Sequence, residues 1–391
     1  MSRGWFTLGL ALLAATMPLR LEAEQADTPA SPDAPVSPAE LVERLNHIGR
    51  EGQGNPEAAA AWKQLTQAGP EALLPILRGF DPERAKVAAN WLRPAFDSLA
   101  EKALAAKKLP TKELTAFLED TTNNPAARRL AYETLLKADA KTAEKYLPGM
   151  LNDPSPELRR DAVALLIGNA EKLLKAEEND SAKFVYEKAL KGACDPDQVE
   201  TIAVALSKLG VRVDLQKHLG VVSQWYLAAP FEHQNGSGWN VAYPPEKGVD
   251  LKATYKGKDN IEVKWLPVGT KDAQGLVDIN KAIKQYKGAI CYAYAEVDSP
   301  GDQEIQFRAG CINGLKIFVN AEQIFAKEEY HHGMSIDQYI VKGKLKKGTN
   351  TILLKVAQNE QKEPWAQRWT FQLRLTDSVG AAIPFSQKEA K

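Results

Sequence analysis

The feature that most constrains this chain is a change of hydrophobic period near Leu219. From about Ser37 to Lys217, apolar residues recur at three- and four-residue spacing in segments of helical length; beyond Leu219 they fall in short alternating runs separated by Gly, Pro, Asn and Asp. The first spacing places one face of a helix against a core, and the second places one face of a strand there. No segment satisfies both periods. The chain therefore reads as multidomain α + β, with a helical half at 38–218, a β half at 219–385 and a polar tail at 386–391. Its 391 residues also exceed what one ordinary core serves.

Helix starts in the first half are marked by a proline or a capping residue, at Pro38, Asp81-Pro82, Asn124-Pro125, Asp153-Pro154 and Asp195-Pro196. Proline suits the first turn because its missing N–H has no intrahelical partner there. The segments repeat: ALLPILRGFDPERAKVAANWL (72–92) parallels KYLPGMLNDPSPELRRDAVALL (145–166), and Arg128-Arg129-Leu130-Ala131 aligns with Arg159-Arg160-Asp161-Ala162, 31 residues on. At DPSPELRRDAVALL the chain resembles HEAT repeats of the short bacterial type, over about 56–210. That resemblance implies an α-solenoid serving as a scaffold or a protein-binding surface. The four arginines read as hydrogen-bonded within the repeats and solvated, in preference to a ligand-binding role.

The β half reads as strands near 221–228, 251–256, 261–266, 289–297, 304–310, 315–320, 338–342, 351–357 and 369–376, with one short helix within 274–286. Many strands with few helices indicate a β-sandwich. If SPGDQ is a hairpin turn centred on Gly301, then Val297, Ala295, Ala293 and Cys291 face Ile305, Phe307, Ala309 and Cys311, and every apolar residue falls on one face. Cys291 and Cys311 then stand opposite one another, either as a disulfide or as two small buried thiols. Cys194 would be the free cysteine.

The stretch NGLKIFVNAEQIF, a polar loop, then KLKKGTNTILLKV, resembles the galactose-binding-like jelly roll of sugar-binding domains attached to glycoside hydrolases, over roughly 289–376. The resemblance implies a strand ending in a turn at Asn320, a turn at Lys347–Asn350, and ligand contacts on loops between sandwich strands. The combination with HEAT-like repeats resembles uncharacterised bacterial secreted proteins.

The N-terminus MSRGWFTLGLALLAATM carries one Arg and an apolar run from Trp5 to Met17, followed by small residues for cleavage. This is the layout of a signal peptide, 1–23, and the run is short for a membrane span. The chain is expected to be exported, periplasmic or extracellular, with a Pro/Ala-rich disordered linker at 24–37. With 50 basic and 50 acidic side chains, the composition gives no support to nucleic-acid binding.

Two loops carry candidate chemistry. EEYHHGMSIDQY (328–339) offers Tyr330, His331, His332 and Asp337 as ligand contacts, and Glu329, His332 and Asp337 as candidate ligands for a divalent metal. Adjacent strand residues point to opposite faces, so both histidines reach one metal only through an irregular loop, which Gly333 permits. The other readings are an organic-ligand contact and a structural polar turn. In NEQKEPWAQRW (359–369), Trp369 belongs to the alternation Trp369, Phe371, Leu373, Leu375 and reads as core, whereas Trp365 falls outside it. An exposed Trp365 suits stacking on a sugar ring, with Glu360, Gln367 or Arg368 hydrogen-bonding its hydroxyls; the alternative is packing under its own loop. Trp239, in GSGWNVAYPPE, is a further candidate on a loop over a sheet edge.

No GxSxG elbow, P-loop or GxGxxG is present. The reading is therefore a non-enzymatic protein without a required cofactor. Its solenoid would bind a protein partner and its sandwich a carbohydrate or another envelope ligand. The alternatives are a purely structural envelope protein and a metal-dependent hydrolase built on 328–339.

Overall fold

The computed structural model describes residues 36–80 and 86–391; the expected signal peptide, most of the linker and the Asp81-Pro82 turn lie outside the described residues. Val36 and Ser37, assigned to the linker from the sequence, belong instead to the first helix start. Val36 packs on the helical core. Ser37 caps the helix reciprocally with Glu40, each side chain taking the other's backbone N–H.

The helical half runs α1 Pro38–Asn46, α2 Asn55–Leu65, α3 Leu73–Arg78, α4 Lys86–Ala105, α5 Thr111–Glu119, α6 Pro125–Ala138, α7 Ala140–Ala143, α8 Pro156–Lys175, α9 Asn179–Gly192, α10 Pro196–Lys208 and α11 Leu215–Leu219. Asn124 takes the N–H of Ala126 and Ala127 as expected, but α8 starts two residues beyond the expected Asp153-Pro154, at Pro156, where Ser155 takes the N–H of Leu158. Three of the four repeated arginines hold carboxylates. Arg128 grips Asp153 with both terminal nitrogens, at 2.7 and 2.8 Å, where both side chains are buried. Arg129 pairs with Asp161 and Glu133, and Arg160 with Asp197 and Asp195. Such charges are taken out of water only when paired.

The β half consists of β1 Gln224–Glu232, α12 Pro244–Lys247, β2 Thr254–Lys256, β3 Glu262–Lys264, β4 Leu266–Gly269, β5 Val277–Asp278, α13 Ile279–Ala282, β6 Ala289–Ser299, β7 Gln303–Cys311, β8 Gly314–Val319, β9 Glu322–Lys327, β10 Tyr339–Leu345, β11 Gly348–Gln358 and β12 Thr370–Thr376. Two antiparallel sheets, β4-β1-β6-β11-β8-β9 and β10-β7-β12-β5, face one another as a sandwich; β2 and β3 pair separately. The Asn320 turn is present, with Asn320 and Ala321 both at positive φ. Asn350 organises the turn before β11, bonding Lys346 and Gly348 through its buried amide.

The expected β6–β7 hairpin is not formed. β6 pairs with β1 and β11, β7 pairs with β10 and β12, and the turn between them passes from one sheet to the other. The inward face was nonetheless assigned to the right residues: Cys291, Ala293, Ala295, Val297, Ile305, Phe307, Ala309 and Cys311 all lie in the core between the sheets. They oppose one another across facing sheets, which stand about 10 Å apart, rather than across a ladder. Cys291 and Cys311 are accordingly free, as is Cys194, and all three are buried. Burial pushes the Cys311 thiol up to about 12.

A second apolar layer covers the outer face of the larger sheet. Phe231, Tyr292, Tyr294, Phe318 and Leu353 on the strands meet Trp239, Tyr243, Tyr255 and Trp265 from the segment between β1 and β4. At its centre Lys355, fully buried, donates to the carbonyls of Trp239 and Val241 and pairs with Glu246 at 2.8 Å.

The halves meet at Gly220. Leu375 N–H bonds the Gly220 carbonyl, Val222 N–H bonds that of Leu373, and Gln216 on α11 donates to the carbonyls of Thr270 and Asp272. Gly220 has φ +70°, and a Cβ there would lie 2.5 Å from the Leu375 carbonyl oxygen, so only glycine fits. Residues 386–391, read as a polar tail, are laid along the sandwich: Ser386 bridges Asp298, and Gln387 bonds the backbone of Ser223 and Gln224.

Candidate functional site

The strand registers place the two candidate loops at the end of the sandwich away from the helices. β1 leaves the junction and ends at Glu232, opposite Ala289 at the start of β6; β11 ends beside it at Gln358, and β8 begins beside Ala357. Three backbone bonds tie the loops of this end together: His233 N to Gly288 O, Gly288 N to Asn359 O, and His331 N to Ile312 O.

The two histidines lie in an irregular loop outside any strand, and they part. His331, at φ 57°, sends Nε2 to Asn359 Oδ1. His332 turns to Gln338 Nε2, at 2.8 Å, and the Tyr339 hydroxyl, at 3.3 Å. Tyr330 makes a third link, to His233 Nε2 at 2.6 Å and Glu328 Oε1 at 3.0 Å. Its hydroxyl donates to the carboxylate, so it accepts from His233, whose proton the network therefore assigns to Nε2. Burial holds His233 below the usual histidine value. Glu328, Glu360 and Glu232 pull it the other way, and Lys355 reinforces the burial.

The metal triad does not assemble. Glu329 pairs with Lys327 at 2.8 Å. Asp337 lies under the arginines of the smaller sheet, 2.9 Å from Arg308 Nη1 and 3.0 Å from Arg374 Nε, the second contact lacking hydrogen-bond alignment. Each carboxylate is committed to a different cation, and among the described residues no three His, Cys, Asp or Glu side chains converge as a metal site. Trp239 is also removed from the candidates. It is 8% exposed, and the Lys316 ammonium sits 4.6 Å from its ring centroid, so both the burial and the cation occupy the ring.

Trp365 is different. It is 58% exposed on a turn at Pro364–Ala366, with its ring edge-on to His331 at 5.6 Å. The turn beneath it is braced: Ala366 O accepts from Lys287 Nζ at 2.6 Å, and the Gln367 amide holds the carbonyls of Lys362 and Glu363. The indole is held out by a stiff loop. Arg368 is exposed beside it, and its own carbonyl is bonded by the buried Gln358. His331 Nδ1 and Glu360 Oε2 are shielded from solvent and have no hydrogen-bond partner among the described residues. The site thus joins Glu328, Tyr330 and His331 from one loop to Asn359, Glu360 and Trp365 from another. His233 and Asn359 were not singled out from the sequence, whereas Glu360 was, as a partner for sugar hydroxyls. His233 is 97 residues from its partner Tyr330, and no local spacing connects them.

No protein-family model matches the sequence, and no curated protein matches it. Among solved structures, 28% of the chain is similar to 88% of a family 35 carbohydrate-binding module from an environmental isolate, at 18% identity and a TM-score of 0.18. A GH31 alpha-xylosidase from Xanthomonas citri is similar over 29% of this chain and 15% of its own, at 12% identity and a TM-score of 0.16. Similarities this low say nothing about what the chain binds. Among the described residues no helix is long and apolar enough to cross a membrane.

Proposed function

We propose that the sandwich is a carbohydrate-recognition module, that its ligand rests on Trp365 at the distal end, and that the chain is a binding protein rather than an enzyme. The observation that carries this reading is the exposure of Trp365 on a hydrogen-bonded turn beside His331. An indole face offers dispersion to the apolar side of a sugar ring, and carboxylates, amides and imidazoles around it orient the hydroxyls. Preorganisation by the braced turn lowers the ordering cost of binding. Tyr330 and His332 are half-buried and Trp365 is open. That pattern favours a ligand surface over a wholly structural loop. The HEAT-like reading of the helical half supports a protein-docking role for it. Phe184 on α9 and Val204 on α10 are its most exposed large apolar side chains among the described residues.

A glycan array with the whole protein, run with divalent metals and again with EDTA, tests the reading. Saturable binding that weakens about tenfold in Trp365→Ala, a loss of about 1.4 kcal/mol, is the expected result. A folded protein that binds no glycan, or binds equally without the indole, overturns it. Binding that requires metal would place the contact elsewhere than this loop pair.

A further inference from the structure

The junction between the halves carries a cationic cleft that the sugar reading does not use. α6, α8 and α10 each begin with a proline at the first helical position, so their residues can be matched turn for turn. Arg128 and Arg159 both stand at the fourth position of their helix. Arg128 is satisfied by the turn that precedes the next of these helices: Asp153, two residues before the cap Ser155, accepts both of its terminal nitrogens. Two residues before the cap Asp195 of α10 stands Ala193. The carboxylate that the repeat supplies to Arg128 is missing for Arg159.

Nothing else replaces it. Arg159 donates Nε to the Gly192 carbonyl at 2.7 Å, and among the described residues no carboxylate pairs with it. Asp195, in the same turn, is drawn to Arg160 at 3.3 Å. Arg159 instead lines a cleft of about 650 Å³ between the end of α9, the segment before α11 and residues 381–382 of the sandwich. Lys191, Arg212 and Lys217 line the same cleft and likewise form no ion pair among the described residues. The two acids on its wall are Glu187 and Asp214, and Asp214 spends one oxygen on capping α11. The cleft has the size of a small-molecule site, a clear excess of cation, and a guanidinium whose counterpart in the neighbouring repeat is filled by a carboxylate.

We infer that this junction cleft binds a small polycarboxylate, one carboxylate taking at Arg159 the place that Asp153 takes at Arg128, and a second meeting Arg212, Lys217 or Lys191. A planar fork favours a carboxylate over a spherical or tetrahedral anion. Because the walls come from both halves, an occupant would brace them against one another.

Citrate is the probe, titrated into the full chain by calorimetry and thermal melting against sodium chloride and sodium sulfate at equal ionic strength. Citrate is expected to bind saturably and raise the melting temperature beyond either control. Arg159→Gln should weaken citrate at least about fivefold. Ala193→Asp supplies the missing carboxylate from within and should abolish the response; if that variant does not fold, Arg159→Gln carries the test. Trp365→Ala should respond to citrate like the natural chain, which separates this site from the distal one. The proposal is overturned if citrate does no more than sulfate, if its effect survives in Arg159→Gln, or if it disappears in Trp365→Ala.

Discussion

The outer face of the larger sheet and the distal end of the sandwich are both rich in aromatic side chains, and they have opposite fates. On the sheet face, Tyr292, Tyr294 and Phe318 are sealed under Trp239, Tyr243, Tyr255 and Trp265, with Lys355 and Glu246 paired inside. At the distal end, Trp365 stands in solvent on a turn held by Lys287, Gln358 and Gln367. The chain therefore covers the larger aromatic surface with its own segment and leaves a small one uncovered. Aromatic content alone does not mark a ligand site. What marks it is whether the chain has supplied a cover.

If the sealed face is structural, its central ion pair should carry the largest stability effect. Glu246→Ala leaves Lys355 buried with carbonyls and tyrosine rings but no counter-ion and should cost about 3–5 kcal/mol, read from urea unfolding. Asp337→Asn should follow, at about 2–3 kcal/mol, because it strips Arg308 and the buried Arg374 of their common carboxylate. Should Asp337→Asn prove neutral, the 333–338 loop would not depend on this contact.

A smaller effect concerns pH. The His233 pKa is lowered in the fold by burial, so the unfolded chain takes up a proton first as pH falls. Its contribution to stability is complete above the unfolded value of about 6.5 and declines as pH falls from there through the folded value. Unfolding curves between pH 8 and pH 5, compared with His233→Gln, should show a shallower decline in the variant; identical slopes would place the titration elsewhere. Smallest of all, Trp365→Ala should change stability by no more than about 0.5 kcal/mol, since the side chain is mostly in solvent, while weakening glycan binding about tenfold. A large loss of stability there would mean that the indole belongs to the packing and would erase the contrast between the two regions.

Much of the strand pattern was legible in the sequence because period-two alternation reports which side chains face inward. It assigned Val297, Ala295, Ala293 and Cys291, and their counterparts on β7, to one core. It did not report the partner of each strand. Two strands facing across a sandwich show the same alternation as two strands in a ladder, which is why the expected 297–305 hairpin is absent and why, of the two readings of Cys291 and Cys311, the pair of buried thiols is the one present. The short β4 and β9 escaped because Leu266–Gly269 includes a proline and Glu322–Lys327 is largely exposed, so neither advertises an apolar face. Within the candidate site, Trp365 was visible because it breaks the alternation of β12. His332 and Asp337 looked equally suitable, and only their neighbours, Gln338 and two arginines from other strands, reassign them.

The sequence by itself determined where helix gives way to strand, where several of the helices start, and which faces are buried, because those follow from local spacing and backbone chemistry. Only the tertiary structure decided which charges are spent and which remain free. Glu246, Asp337 and Asp153 each meet cations brought from distant parts of the chain, whereas Arg159 meets no carboxylate among the described residues, and Trp365 is left uncovered while Trp239 is not. Coulombic pairing and burial depend on distances in space, and no short-range pattern in the chain encodes those distances.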